Sequence, residues 1–246
     1  DNYIDNLILG LKSQQGVTYG RVVFAITEDG DTSAVKSKIT ENGFTYFGVE
    51  KKDFSHSLTR ERAIFDYCVS EVVIMLSQDV NLVNSNSFYE LTKFVSDSVV
   101  YVYGKKICRK KSLEYYVRKK NYGVENEYLT SADVEKLQLK TFFASDAFAA
   151  YYRPAFVDLN GYDNKHMMMS EDMYYAKKII DLGYTKGYIA TAVVEHSHKF
   201  TLKQLYDRYY ETGKWFAQHP EFNAYKTTDA GLKLAFSVLG QALKDF

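Results

Sequence analysis

The sequence predicts a single α/β domain built on a largely parallel central sheet flanked by helices. Two observations carry this. Short apolar runs rich in β-branched residues, such as "RVVFAIT" at 21–27 and "VVIML" at 72–76, alternate with stretches whose apolar residues recur at helical spacing. Such alternation is the pattern of βαβ units, whose ligands bind outside the C-terminal ends of the strands. A chain of 246 residues with 46% hydrophobic content can also enclose one large core.

Taken in order, Ile4, Leu7, Ile8 and Leu11 place a helix over 3–14, ahead of the strand at 21–27. The turn "EDGD" at 28–31 ends that strand; Val35 and Ile39 mark the next helix and "FTYFGV" at 44–49 the next strand. A helix from about Ser57 to Val69 leads to the strand at 72–76, a helix at 86–96 and the strand "VVYVYG" at 99–104. Between Lys105 and Lys140 the chain is polar and has no clean period, which reads as a loop-and-helix excursion over the site. Beyond it, "TFFASDAFAAYYR" at 141–153 and "GYIATAVV" at 187–194 are strand material, a helix starts at 171 with Gly183 as its C-cap, and 201–217 and 227–244 read as helices.

Composition excludes several classes of function. Thirty-one basic and 31 acidic residues cancel, so nothing draws the whole chain to nucleic acid or an anionic bilayer. Cys68 and Cys108 have neither metal-ligand nor disulfide-framework spacing, which points to a reducing, intracellular compartment. No run reaches the roughly 18 to 20 apolar residues of a membrane span, and "DNYIDNLILGLKSQ" lacks the features of a signal peptide. The 22 tyrosines and 16 phenylalanines suit either the stacking of sugars and bases or an aromatic core.

Several residues stand where chemistry is done. In "MLSQDV", Ser77, Gln78 and Asp79 follow the strongest strand, where an acid can bind a hard divalent cation or cap the next helix. "FSHSLTRERA" sets His56, Thr59 and Arg60 around a helix start, a place for phosphate oxygens or for an ordinary cap. "MMMSEDMYYAKKIIDLGY" puts Glu171 and Asp172 in a helix's first turn, where acids interact favourably with unpaired N–H groups and can also face a crevice. "VVEHSHKF" ends a strand with His196 and His198 on one side of an extended chain, either of which can ligate a metal. The basic run "KKICRKK" with Arg118, Lys119 and Lys120 reads as solvated charge, or as a patch that steers a lipid diphosphate at a membrane surface.

Together, "FSHSLTR", "LSQD", "FFASDAFAAYYRPAFVDLNGYD", "MSEDMYYAKKIIDLGY" and "VVEHSHKFTLKQLYDRYYETGKW" resemble, in order and spacing, the family 2 glycosyltransferases and among them the bacterial rhamnosyltransferases. The resemblance implies one GT-A domain over 1–246, with a nucleotide-sugar-binding half of about 1–104 and an acceptor-binding half of about 105–246. It implies inverting transfer of L-rhamnose from dTDP-rhamnose to a growing surface polysaccharide or lipid-linked glycan, at the cytoplasmic face of the membrane, with possible peripheral membrane contact. A UDP-glucose, UDP-galactose or UDP-GlcNAc donor is the alternative, and an inert glycan- or nucleotide-binding module is a third.

By the same resemblance Asp172 is the general base and Glu171 an acceptor-orienting neighbour. Asp29, His56, Arg60, Ser77, Gln78 and Asp79 fall to the donor, and Asp79, His196 and His198 to an Mg or Mn ion. Two positions depart from the family: Ser77 stands where many members have the first Asp of a DxD motif, and Glu61 where Asn is common. Family members also open with a strand that this sequence lacks, so a missing first strand is expected in the sheet. They commonly continue into a basic, aromatic membrane-associating segment, where here "LAFSVLGQALKDF" ends the chain.

Overall fold

The computed structural model describes residues 2–108, 113–198 and 200–225. Helix α1 (Asn2–Lys12) precedes β1 (Val23–Glu28), α2 (Ser33–Glu41), β2 (Thr45–Glu50) and α3 (His56–Arg62), which runs on as a π-helical turn over Ala63–Tyr67. Then come β3 (Val72–Leu76), α4 (Ser87–Thr92), β4 (Val99–Ile107), α5 (Leu113–Asn121) and β5 (Glu127–Leu129). The second half adds α6 (Val134–Leu137), β6 (Phe148–Tyr152), α7 (Arg153–Asp158), α8 (Glu171–Asp181), β7 (Thr185–Glu195) and α9 (Leu202–Gln218). The helix expected at 227–244 lies outside the described residues.

Five strands form one sheet in the order β3-β6-β4-β7-β5, and β1 pairs in parallel with β2. Since β6 is antiparallel to both β3 and β4 while β7 is parallel to β4, strands β3, β4 and β7 all run one way. Their C-terminal ends therefore meet at one edge, where a ligand crevice belongs. Among the described residues no ladder joins β1 to β3, so β1 and β2 form a sheet of their own.

Two segments differ from expectation. Of 141–153 only 148–152 is strand, because the carbonyls of Thr141 and Phe143 instead accept from Lys186 Nζ, each at 2.6 Å. The polar excursion contains β5, an edge strand antiparallel to β7, whose three residues are too short to show a period.

Strand β4 sets up the site. Its register against β7 jumps between Gly104, opposite Ile189, and Lys105, opposite Val193. Glycine fits this bulge because a Cβ there would press on the Phe148 ring and lie 2.7 Å from the Ala192 carbonyl. The extra residues, Ala190 to Ala192, belong to β7; beyond them pairing resumes with Lys105, Lys106 and Ile107, and the His196 N–H donates to the Ile107 carbonyl at 3.1 Å. Much of the aromatic content fills the core: Tyr101, Tyr151, Tyr162 and Tyr175 are fully buried together around β4 and β6. Each such ring removes some 150–250 Å² from water; most buried hydroxyls need a partner, and three of these share one, while the Tyr175 hydroxyl has none among the described residues.

Candidate active site

The first cluster forms where β3 and β7 end. A pair of backbone bonds between Asn81 and Glu195, 2.8 and 2.9 Å, ties the two exits together. Asp79 then receives His196 Nε2 at 3.0 Å on one oxygen and His198 Nδ1 at 3.3 Å on the other. One atom from each of the three lies within 4.8 Å of the others. Burial favours the neutral aspartic acid, but the His196 bond and the two imidazoles outweigh it and hold the carboxyl below its usual range. Burial also lowers His196 despite Asp79, with Lys106 and Arg118 acting in the same direction, which favours the neutral ring that ligates metals. One carboxylate oxygen and two imidazole nitrogens are a fitting donor set for a divalent cation.

Helix α5 backs this cluster. Glu114 accepts from Arg118 and from the His198 N–H at 2.7 Å, and Arg118 Nη2 lies 3.3 Å from His196 Nδ1. Arg118 is thus buried rather than solvated, which corrects the surface-patch reading for that residue. Lys110 and Lys111 of the basic run lie outside the described residues.

The second cluster forms at the start of α8. Ser170 enters the helix with φ 58°, left-handed, and makes no side-chain cap. Glu171 is buried and ion-paired to Arg60, which also lies 3.9 Å from Asp146. Asp172 accepts from the Met173 N–H at 2.7 Å and the Asp146 N–H at 3.4 Å. Only Asp172, therefore, behaves in part as an ordinary helix-start acid. Burial pushes its carboxyl up to about 6, the Asp146 charge adds to this, and the Met173 N–H, Lys106 and Arg60 oppose it. Glu171 is raised in the same way by burial, with Arg60 opposing and Asp172 and Asp146 adding.

Lys106 connects the clusters. Its ammonium donates to Ser145 Oγ and feels Arg118 and Glu114 on one side and Asp172 on the other. Burial, followed by the Arg118 charge, lowers it to about 7. His56 borders the same region, lowered to about 4 by burial and by Arg60.

The expected donor residues are distributed unevenly. Ser55, not His56, caps α3, accepting from the Leu58 N–H at 3.1 Å. Arg60 faces the carboxylates of Glu171 and Asp146. Asp29 sits at the end of β1 in an exposed ion pair with Lys51 at 2.7 Å. Ser77 bonds through its backbone to Ala147 at 3.1 Å, and Gln78 is exposed beside Asp79. Lys106, Glu114, Arg118 and Asp146 were not singled out from sequence as site residues. The Glu114/Arg118 spacing of four was the one legible signal, a helical ion pair in an otherwise polar stretch.

No family model matches the chain. It is 37% identical over 177 residues to the O-antigen chain rhamnosyltransferase RfbN of Salmonella typhimurium, covering 71% of this chain and 56% of the relative. To the O-antigen chain rhamnosyltransferase WbaN of Salmonella anatum it is 32% identical over 202 residues, 81% of this chain and 63% of the relative. The chain belongs to the family 2 glycosyltransferases of the GT-A fold.

Solved structures agree on the fold of this glycosyltransferase. A mannosyltransferase from Pyrobaculum calidifontis in complex with GDP-Man and Mn2+ superposes with a TM-score of 0.55 at 15% identity, covering 79% of this chain and 53% of that one. GalNAc-T7 with UDP, GalNAc and Mn2+ gives 0.59 at 11% identity, covering 78% and 40%. The chain spans 56% and 63% of the lengths of the two curated relatives. Among the described residues no helix is long and apolar enough to cross a membrane.

Proposed function

We propose that this glycosyltransferase moves L-rhamnose from dTDP-rhamnose to a growing surface polysaccharide or a lipid-linked glycan, with inversion at the anomeric carbon. Supporting this is the placement of a carboxylate–imidazole cluster and a half-buried, weakly acidic Asp172 on either side of Lys106. Asp172 takes the proton of the acceptor hydroxyl, whose oxygen attacks the anomeric carbon as the bond to the diphosphate breaks. The electron pair of that bond leaves with the diphosphate. A carboxyl raised to about 6 is a stronger base than an ordinary aspartate and is still ionised at neutral pH. Glu171, fixed by Arg60, holds the acceptor side in place.

Asp79, His196 and His198 would hold the cation, which when bound supplies positive charge to stabilise the departing diphosphate. Two nitrogen donors suit Mn better than Mg, which prefers oxygen. In this reading the half at about 1–104 binds the donor and the half at about 105–246 the acceptor, at the cytoplasmic face of the membrane with peripheral contact. Release of nucleoside diphosphate from a panel of dTDP-rhamnose, UDP-glucose, UDP-galactose and UDP-GlcNAc, with Mn or Mg, tests it. Fastest release from dTDP-rhamnose is expected. Preference for a UDP-sugar would overturn the donor assignment, and no release from any donor would favour the inert binding module.

A further inference from the structure

Asp146 has a setting unlike that of any other acid among the described residues. It stands just before β6, 1% exposed. One of its oxygens accepts from the hydroxyls of Tyr101, at 2.7 Å, and Tyr151, and the other from Tyr162 at 2.8 Å. Tyr151 and Tyr162 hydroxyls are themselves 2.9 Å apart, so the rings and the carboxylate form one connected unit. A carboxylate accepts hydrogen bonds at both oxygens, and here three hydroxyls supply them in a buried setting. Arg60 Nε is 3.9 Å away but is shared with Glu171. On its other side the Asp146 N–H points to Asp172 Oδ2 at 3.4 Å.

We propose that Asp146, fixed by its three tyrosines, is a positioning residue that holds its carboxylate behind Asp172, orients that side chain through its own N–H, and so strengthens it as a proton acceptor. The inference rests on Asp172 being the base. A like charge in a buried setting disfavours a second ionisation, which raises the proton affinity of the neighbour. Other groups also act on Asp172: Tyr101, Tyr103 and Lys106 from β4, Tyr122 after α5, Arg60 from α3, Lys186 from β7 and Glu171 beside it. Lys106 and Arg60 work in the opposite direction, so the Asp146 charge offsets two cations.

The test is the pH dependence of kcat/KM for the wild type, Asp146→Asn and Tyr162→Phe, with Asp172→Asn as control. Removing the charge while keeping the shape should move the acid limb down by about one pH unit. Tyr162→Phe deletes a donor but keeps the charge, so its limb should stay at or above the wild-type position. An unmoved limb in Asp146→Asn, with Asp172→Asn inactive, overturns the role of Asp146 and leaves the base standing. An active Asp172→Asn removes the base and the inference with it. Should Asp146→Asn not fold, titration of the Asp172 carboxyl by ¹³C NMR in the wild type and in Asp146→Ser decides. A lower midpoint in Asp146→Ser supports the proposal, and an equal one overturns it.

Discussion

Arg60 in α3 and Glu171 at the start of α8, 111 residues apart in sequence, form an ion pair whose side chains are only 15% and 6% exposed. It joins the helix after β2 to the helix that presents Asp172. Arg60→Met should destabilise the fold by about 3–5 kcal/mol, because it leaves Glu171 buried without its partner. Combining it with Glu171→Leu should restore much of the loss. Urea unfolding followed by the fluorescence of Trp215, the single tryptophan, measures both. Equal stability of Arg60→Met and wild type would mean that the pair contributes nothing.

Asp79→Asn and His198→Ala should each weaken Mn binding in the presence of dTDP by at least ~10-fold, since each removes one of three donors. Calorimetric titration of MnCl2 reads this directly. Unchanged affinity in both variants would place the cation elsewhere.

Lys178 organises the turn before α8. Its ammonium bonds to the carbonyls of Leu159 and Gly161 and to Asp163 at 2.6 Å, within a run where Asn160, Gly161, Asp163 and Asn164 all have positive φ. Lys178→Met should cost about 1–3 kcal/mol, as expected for the loss of charged hydrogen bonds. Although burial raises it, Asp163 is held below its usual range by Lys178 and Tyr174. Its stabilisation is therefore present above the unfolded-state value of about 3.9 and is lost as pH falls through the lower folded value. Thermal melts between neutral and acid pH should show that loss in the wild type and less of it in Lys178→Met.

The ends of the strands were legible because each is marked by a change from an apolar run to polar residues: "VVIML" gives way to Ser77–Asp79, and "TAVVE" to His196 and His198. Their meeting was also foreseeable, since co-directional strands share an edge. What could not be read was the inner side of the site. Asp146 sits between Ser145 and Ala147 in a segment that looked like continuous strand, and its partners Tyr101 and Tyr162 come from other parts of the chain. Lys106 lies just past the point where β7 bulges out opposite Gly104 and Lys105, a break in register that no local period encodes. The pairing of Arg60 with Glu171, 111 residues away, was not legible either, because a sequence does not say which of several anions a guanidinium will meet.

Turnover of Asp172→Asn with dTDP-rhamnose, a glycan acceptor and Mn tests the account most directly, with the sugar product followed by NMR. The wild type should form product of inverted anomeric configuration. Asp172→Asn should be slower by about 10²- to 10⁴-fold while binding dTDP as tightly as the wild type, and Glu171→Gln should raise the acceptor KM more than it lowers kcat. A near-normal rate in Asp172→Asn, or a product of retained configuration, would contradict the assignment of Asp172 as the base of an inverting transfer.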